Sequence, residues 1–322
     1  MSGADWQPTA SIATLRRRAA LLVAARDFFR ERSVLEVETP LALSATVTDV
    51  QITSLAIAGD APRFLHTSPE YPMKRLLAAG SGDIFQACHV FRAGEQSRLH
   101  NPEFTMIEWY RLGMDLQAIM AETAALAGAL LAAGGRNAGP VESLSYAEAF
   151  ARKLGCDPLA APMEQLRTLA GNHGLAASSI NGATRDELLD FLIATQVGPE
   201  LGRGTLCCLH HFPASQAALA QLEPADPRTA LRFELYAEGV ELANGYVELA
   251  DPAEQRHRFE ADHAERQRRG LPLPPIDERL LAAMATGLPA CAGVALGFDR
   301  VAMLALGAAS IDEVLAFSWT RA

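Results

Sequence analysis

Residues 88–111 concentrate most of the side chains of this chain that could do chemistry; they read CHVFRAGEQSRLHNPEFTMIEWYR. The second half of this stretch has the pattern of a β-strand, in which residues two apart share a face. Phe104, Glu108 and Tyr110 would then point to one side of the strand. That side would offer a ring for stacking, a carboxylate and a phenol, which are the parts of a binding pocket.

Two arginines precede this strand. Arg92 stands at the start of a predicted loop and Arg98 within it. A guanidinium binds phosphate through a planar fork of N–H donors, and a nearby ring can cover the flat face of an adenine. Together these residues predict a nucleotide site with a polar pocket beside it. The alternative is a hairpin loop whose charged residues are simply solvated.

A second segment, TSPEYPMKR at residues 67–75, lies at a predicted junction between a strand and a helix. The first turn of a helix is a natural polar binding site, usually for anions. Glu70 would instead accept an ammonium group there. The alternative is that Ser68 and Glu70 only cap the helix, with Pro69 in its first turn.

A third segment contains two acids, Glu241 and Glu248. They are seven residues apart, so a regular strand would place them on opposite faces. Asn244-Gly245 between them permits a β-bulge, which would bring both carboxylates to one face. Two carboxylates with phosphate oxygens make a plausible Mg²⁺ site. The alternative is an exposed Asn-Gly hairpin with solvated acids.

The fourth segment is GVALGFDR at residues 293–300. An apolar strand ends at Gly297, and Asp299-Arg300 opens a helix. Glycine lets a ligand approach the backbone closely, and Arg300 would then cover a nucleotide from the side opposite Phe104. Glycine-rich turns between a strand and a helix are common, so this segment alone is weak evidence.

The elements that must position these segments alternate between strands and long helical insertions. The pattern predicts helices over 11–32, 68–80, 115–133, 252–269 and from 299, and strands over 34–39, 47–57, 64–67, 84–91, 103–112, 206–212, 230–249 and 293–296. Residues 143–200 have a helical and exposed pattern, with a capping box at Thr184–Glu187. Strands far apart in sequence with helices between them favour an α+β fold built on an antiparallel sheet.

Composition limits the classes of function. The 322 residues are 49% hydrophobic and 20% charged, with a net charge of −10. The acidic balance argues against broad electrostatic binding to nucleic acid. No apolar run approaches the ~20 residues that span a bilayer, so no membrane partner is expected. The five cysteines show no CxxC spacing, which is typical of reduced thiols in a cytoplasmic protein.

Taken together, the segments resemble a known family. The helix and EVETP strand (28–40), the arginine loop and strand (91–111) and Gly-x-Asp-Arg (297–300) resemble motifs 1, 2 and 3 of class II aminoacyl-tRNA synthetases. TSPE, HNPEFT and ELANG are similar to the lysyl branch. HHFPASQAALA (210–220) and GVALGFDR resemble its stand-alone paralogues, the elongation factor P–(R)-β-lysine ligases. About 27 residues precede motif 1, so residues 1–322 are expected to form one catalytic domain without an N-terminal OB-fold.

The resemblance implies an ATP-dependent, AMP-forming ligase that uses Mg²⁺. It would adenylate (R)-β-lysine and transfer it to a lysine side chain of elongation factor P, without tRNA. It would act as a cytoplasmic homodimer joined through motif 1. Two alternatives stay open: a minimal lysyl-tRNA synthetase, and a catalytically silent regulatory subunit with a synthetase-like fold.

The resemblance also implies roles for individual residues. ATP would be bound by Arg92, Ala93, Gly94, Arg98, Asn101, Phe104, Glu241, Leu242, Gly297 and Arg300. Among these, Arg92 and Arg300 would be catalytic: Arg92 would stabilise the charge that grows on the α-phosphate, and Arg300 would cover the adenine opposite Phe104. The amino acid would be bound by Ser68, Pro69, Glu70, Glu108, Tyr110, Asn244, Glu248 and Ala295, and Mg²⁺ by Glu241 and Glu248.

Two positions depart from the patterns of related enzymes. Motif 2 usually reads Phe-Arg-Asn-Glu, and here Gly94 stands where the acid that recognises adenine is expected. A shift of the loop would let Glu95 replace that acid, or the backbone at Gly94 would do so. Ala295 stands where tRNA-charging relatives usually have glycine. Its methyl group would reshape the pocket for an amino group moved by one carbon, a hypothesis that an Ala295→Gly variant tests.

Overall fold

A computed structural model describes residues 6–59 and 61–322 of the chain. Eleven strands are present in these ranges: β1 Leu35–Glu36, β2 Ala42–Leu43, β3 Ala56–Ile57, β4 Arg63–Leu65, β5 Ile84–Phe91, β6 Glu103–Leu112, β7 Val141–Ser145, β8 Leu206–Pro213, β9 Thr229–Ala237, β10 Val240–Val247 and β11 Cys291–Gly297. The α-helices in the same ranges are α1 Ile12–Arg30, α2 Glu70–Ala78, α3 Leu116–Ala133, α4 Tyr146–Leu154, α5 Met163–Asn172, α6 Ala177–Gly182, α7 Arg185–Leu192, α8 Pro252–Arg268, α9 Glu278–Gly287 and α10 Phe298–Leu306.

Eight strands form the main sheet, in the order β1-β5-β6-β11-β10-β9-β8-β7. The six central strands are antiparallel to their neighbours, which confirms the predicted α+β fold with an antiparallel sheet. The short edge strands β1 and β7 instead pair in parallel with β5 and β8. Strands β2, β4 and β3 form a separate small sheet.

The register of the central strands determines which residues of the site lie opposite each other. On β11, Ala295 lies between Glu108 of β6 and Asn244 of β10. Two residues earlier on the same strand, Gly293 lies opposite Tyr110. Because residues two apart share a face of a strand, side chains from segments more than 180 residues apart in sequence meet on one surface of the sheet.

Capping residues lie at the start of the helices that carry or support this surface. Ser11 Oγ accepts from the N–H of Thr14 at the start of α1, and Asp115 does the same for α3. Thr184 and Glu187 form the predicted capping box of α7. Each cap satisfies backbone donors that have no partner within the helix, which explains why these helices begin close to the predicted positions.

The core lies between the sheet and helices α1, α3 and α10. Leu126 and Leu130 of α3 are fully buried there with Trp109 of β6 and Phe233 of β9. Within the described ranges, α3 is the one helix whose length and composition would allow it to cross a membrane, and half of it is buried inside the protein. All five cysteines are free thiols, in line with the expectation from their spacing.

Two predictions about the elements were wrong, and one helix was missed. Residues 143–200 begin with a strand, and helices α4, α5 and α7 surround a second core that includes Tyr146, Phe150 and Leu189. The strand expected over 47–57 is limited to β3, because 47–55 follow an irregular path. Helix α9 was not predicted; it packs against α2 through Leu280, Leu281 and Met284.

Candidate active site

One cavity of about 1040 Å³ opens on the surface formed by β6, β11 and β10. All four segments singled out in the sequence reach it. The predicted site residues that line it are Ser68, Glu70, Arg92, Asn101, Phe104, Glu108, Tyr110, Glu241, Leu242, Asn244, Glu248, Ala295, Gly297 and Arg300. Residues from the two ends of the chain thus share one space, although the roles expected for each of them stay predictions.

A β-bulge on β10 brings Glu241 and Glu248 to this cavity. The register between β10 and β9 shifts between Glu241 and Ala243. The predicted effect is therefore present, but the predicted position was wrong, because Asn244 and Gly245 pair regularly with both neighbouring strands. The turn of this hairpin is instead at residues 238–239.

Glycine at 245 is required by packing. A Cβ there would lie 2.5 Å from the ring of Phe233 and 2.9 Å from the carbonyl oxygen of Gly293. Gly293 is equally restricted, since a Cβ there would lie 2.3 Å from Glu248 Oε1 and 2.4 Å from the ring of Tyr110. The floor of the cavity between β10 and β6 is therefore made of backbone, which lets the acid and the phenol approach each other.

Glu108 is held by two neutral donors at one end of the cavity. Ser68 Oγ donates to Glu108 Oε2 over 2.6 Å, and Tyr110 Oη donates to Oε1 over 2.7 Å. Burial, together with the charge of Glu70, raises the pKa of Glu108 to about 8. These surroundings therefore favour a proton on this carboxyl at neutral pH, and an ammonium group would favour its ionised form.

Ser68 also supports the first turn of α2. Its Oγ accepts from the N–H of Glu70 over 3.0 Å, so one hydroxyl both supports the helix and contacts Glu108; its contact with the amino acid stays a prediction. The N-cap position itself belongs to Pro69, one residue later than expected, and Pro69 is not among the residues that line the cavity.

Lys74 is a site residue that the sequence analysis missed. Its side chain is completely buried, with Nζ 2.6 Å from Glu70 Oε1 and 2.6 Å from Glu248 Oε2. Burial acts to lower the pKa of Lys74, but the two carboxylates outweigh it and raise the pKa above its ordinary value. The spacing of four from Glu70 on a helix was a usable signal; the contact with Glu248 was not visible in sequence.

Arg232 of β9, also missed, orients Asn244. Its guanidinium donates to Asn244 Oδ1 over 3.2 Å and to Glu234 Oε1 over 2.6 Å, and it stacks on the ring of Phe212 with 4.3 Å to the centroid. The amide nitrogen of Asn244 then donates to the hydroxyl of Tyr246 over 3.0 Å. The amide is thus fixed from both sides.

The other end of the cavity has the character of a nucleotide site. The guanidinium of Arg92 lies 5.2 Å from the centroid of the Phe104 ring. Arg300 is anchored by the carbonyl oxygens of Glu241 at 2.9 Å and Leu99 at 3.2 Å. A guanidinium beside an aromatic ring, with a second guanidinium fixed by carbonyl oxygens, suits a purine and its phosphates.

Asn101 supports the loop before β6 with both ends of its amide. Its Oδ1 accepts from the N–H of Trp319 over 2.9 Å, and its Nδ2 donates to the carbonyl oxygen of Glu103 over 2.6 Å. The C-terminal segment therefore braces the nucleotide end of the cavity. A direct contact between Asn101 and ATP stays a prediction.

Three predicted ATP-binding residues lie away from the cavity lining. Arg98 is exposed, and its guanidinium donates to the carbonyl oxygen of Ala309. The N–H of Ala93 donates to the carbonyl oxygen of Thr53. Gly94 has φ +80°, a conformation that an acid would adopt only with strain. Glu95 lines the cavity 3.9 Å from Arg92, in keeping with the idea that it replaces the missing acid.

The carboxylates expected to bind Mg²⁺ differ in their surroundings. Glu241 is 40% exposed, and its carboxylate lies 3.7 Å from Arg300. Glu248 is buried, with one oxygen facing Lys74. Over residues 6–59 and 61–322, no three His, Cys, Asp or Glu side chains are grouped to hold a metal ion. The two acids therefore fit a metal ion only when oxygens of a bound nucleotide complete the site.

The chain is similar to known proteins over almost its whole length. The family profile described as tRNA synthetases class II (D, K and N) matches residues 4–321. A protein of Vibrio cholerae named elongation factor P–(R)-β-lysine ligase is 50% identical over 329 residues, which cover 100% of both chains. Proteins of the same name from Klebsiella pneumoniae strain 342 and Salmonella heidelberg are 50% and 49% identical over 99% of both chains.

Proposed function

We infer the function from the premise that this chain belongs to the class II tRNA synthetases of the D, K and N type and, within them, to the elongation factor P–(R)-β-lysine ligases. The proposed function is that of an ATP-dependent ligase. It adenylates (R)-β-lysine and transfers it to a lysine side chain of elongation factor P.

One observation supports this assignment most directly: a cluster of carboxylates and an arginine–aromatic end share a single cavity. Glu70, Glu108 and Glu248 line one end, where they suit a substrate with two ammonium groups. Arg92 and Phe104 line the other end. An amino acid bound by its ammonium groups would direct its carboxylate toward the nucleotide.

The proposed reaction has two steps and needs no covalent intermediate on the enzyme. In the first, a carboxylate oxygen of β-lysine attacks the α-phosphorus of ATP; a new P–O bond forms and the bond to pyrophosphate breaks. In the second, the neutral amine of the acceptor lysine attacks the acyl carbon; an amide forms, AMP leaves with the bonding electron pair, and the amine loses a proton to solvent.

The protein contributes position and charge to these steps. Arg92 would neutralise the charge that grows on the α-phosphate, and Arg300, fixed by two carbonyl oxygens, would cover the base opposite Phe104. Asn244, oriented by Arg232, would donate to or accept from the polar groups of the amino acid. Glu241 and Glu248 would hold Mg²⁺, which when bound neutralises phosphate oxygens.

A homodimer joined through α1 and β1 is part of the proposal. Ile12 and Val23 of α1 and Leu35 of β1 are each more than half exposed to solvent. Large apolar side chains in such positions are typical of surfaces that pair with another protein, and an isologous dimer is the commonest assembly. We also place the protein in the cytoplasm, with no membrane or tRNA partner.

The decisive experiment is the intact mass of elongation factor P after incubation with this protein and Mg-ATP. Separate reactions contain (R)-β-lysine and L-α-lysine, because the two isomers add equal mass. A gain of one lysyl group, faster with the β isomer, is expected, and Arg92→Ala serves as the inactive control.

A missing mass gain with both isomers would contradict the ligase assignment. Amino-acid-dependent exchange of pyrophosphate into ATP would then separate the alternatives. Exchange followed by charging of tRNA would establish a minimal synthetase, and no exchange would establish a silent subunit.

A further inference from the structure

Lys74 forms ion pairs with two of the carboxylates that line the amino-acid end of the cavity, Glu70 and Glu248. Among the lysines and arginines within 6–59 and 61–322, it is the one that does so. It comes from α2, and its partners come from the first turn of the same helix and from the residue after β10. A buried ammonium group costs free energy unless it is paired. Two contacts of 2.6 Å satisfy that requirement and explain why the position holds a lysine rather than an apolar residue.

The two contacts also fix the carboxylates. Each partner gives one oxygen to Lys74: Oε1 of Glu70 and Oε2 of Glu248. The second oxygen of Glu248 lies over the backbone of Gly293, where a Cβ would come within 2.3 Å of it. Without Lys74, two carboxylates near each other would repel and turn apart. The lysine therefore determines where the remaining oxygens are presented.

The charges at the amino-acid end of the cavity also indicate a role for Lys74 in binding the substrate. Glu70, Glu108 and Glu248 carry three negative charges when ionised, and Lys74 carries one positive charge, so a net charge of −2 remains. The substrate of the proposed reaction carries two ammonium groups. With Lys74 present, the cavity matches this number without leaving a buried carboxylate unpaired.

We propose that Lys74 is a positioning residue that sets the specificity for a diamino acid, because it holds Glu70 and Glu248 in place and leaves two negative charges for the substrate. This inference rests on the proposed function, since that function supplies the diamino acid. The lysine acts through the two carboxylates and takes no part in the chemical steps.

Equilibrium binding tests this role without any reaction. (R)-β-lysine and L-α-lysine are titrated by calorimetry into the full-length wild type, Lys74→Met and Arg75→Met. Methionine keeps most of the volume of lysine and removes its charge. Arg75, the next residue of α2, is exposed and gives the matched control.

The expected result is a loss of roughly 10-fold or more in lysine affinity for Lys74→Met, as for other buried ion pairs that lose one partner. Its affinity for ATP should stay within about twofold, and Arg75→Met should bind both ligands like the wild type. An equal loss of affinity for ATP and for lysine would mean that Lys74 supports the fold as a whole and overturn the inference. An unchanged affinity for lysine would also overturn it.

Chemical rescue separates charge from packing. Lys74→Ala leaves space for the end of the side chain, which propylammonium can refill with its charge and 1-propanol can refill without it. Recovery of lysine binding with propylammonium but not with propanol is expected; equal recovery with both would overturn the inference.

The same titrations distinguish this inference from the proposed function. If the wild type binds a lysine isomer and Lys74→Met does not, but elongation factor P gains no mass, the role of Lys74 stands and the acceptor is wrong. If the wild type binds neither isomer, both are overturned.

Discussion

The guanidinium of Arg18 lies 2.5 Å from the carboxylate of Asp299, although 281 residues separate the two in sequence. The other oxygen of Asp299 accepts from the backbone N–H of Thr105 over 2.7 Å, and Arg18 also donates to the hydroxyl of Thr105 over 2.8 Å. Helix α1, strand β6 and helix α10 therefore meet at one buried carboxylate. Arg300, the next residue of α10, reaches the nucleotide end of the cavity from this junction.

Replacing Arg18 by leucine should weaken both the fold and the nucleotide end. Asp299 is 1% exposed, and a buried carboxylate that loses its cation costs about 3 kcal/mol. We expect the free energy of unfolding to fall by about that amount and the KM for ATP to rise several-fold, while the KM for the amino acid changes less. Urea unfolding and pyrophosphate exchange measure these quantities.

Arg16→Leu is the matched control for this change. Arg16 lies on the same helix and is exposed, so its loss should alter neither quantity by much. An Arg18→Leu protein with the stability and the ATP dependence of the wild type would show that the junction does not position Arg300.

Gly293→Ala should damage the amino-acid end of the cavity. Its Cβ would overlap Glu248 Oε1 and the ring of Tyr110, and overpacking of this kind costs about 1–3 kcal/mol. We expect lysine affinity to fall by about tenfold or more, with little change in ATP affinity, as measured by calorimetry. Gly128→Ala in α3 is the control, because its Cβ would meet no atom closer than 3.8 Å; a similar loss in both variants would point to global destabilisation.

Ala295→Gly should move the preference from β-lysine toward α-lysine. Ala295 pairs with Glu108 on one side and Asn244 on the other, so its methyl group lies between two groups expected to contact the amino acid. One methyl group in a pocket is worth about a tenfold change in discrimination. The ratio of kcat/KM for the two isomers in pyrophosphate exchange measures it, and an unchanged ratio would assign the discrimination to other residues.

Binding of the amino acid should release protons at neutral pH. The pKa of Glu108 is raised to about 8 by burial and by Glu70, so its proton is largely present at pH 7 before the amino acid binds. An ammonium group stabilises the ionised carboxylate, and affinity should therefore increase as the pH rises from 6 to 8. Above pH 8 the carboxyl is already ionised and the increase should end.

Calorimetry in phosphate and in Tris measures the release, because the two buffers differ in their ionisation enthalpy. The observed enthalpy should differ between them, and Glu108→Gln should reduce the difference. Equal enthalpies for the wild type in both buffers would mean that Glu108 does not change its protonation state on binding.

Much of the fold was predictable from the sequence because the patterns that indicate these elements are local. Residues 84–91, 103–112 and the helix after Asp115 were predicted with the bounds that the structure shows. Their alternation and capping are properties of neighbouring residues. The parallel pairing of the edge strands β1 and β7 was not predictable in this way, since the pairing of a strand depends on distant partners.

Within the site, the sequence indicated which segments meet but not which atoms face each other. The bulge at Glu241–Ala243 lies beside the Asn-Gly pair that signalled it, and Gly245 of that pair packs closely on Phe233. Lys74 and Arg232 were missed because one decisive partner of each, Glu248 for Lys74 and Asn244 for Arg232, lies outside its own element. Arg98 was expected at the phosphates from its motif, but its guanidinium donates to the carbonyl oxygen of Ala309.

The hydrogen bonds between the C-terminal segment and the loop before β6 have a consequence for biosynthesis. Arg98 and Asn101 are held by backbone N–H groups of Ile311 and Trp319, and 218 residues separate Asn101 from Trp319. During translation the loop leaves the ribosome long before these two donors exist. A nascent chain therefore carries Arg92 and Arg98 without the bonds that hold their loop, and the loop can take its final form only when synthesis is almost finished.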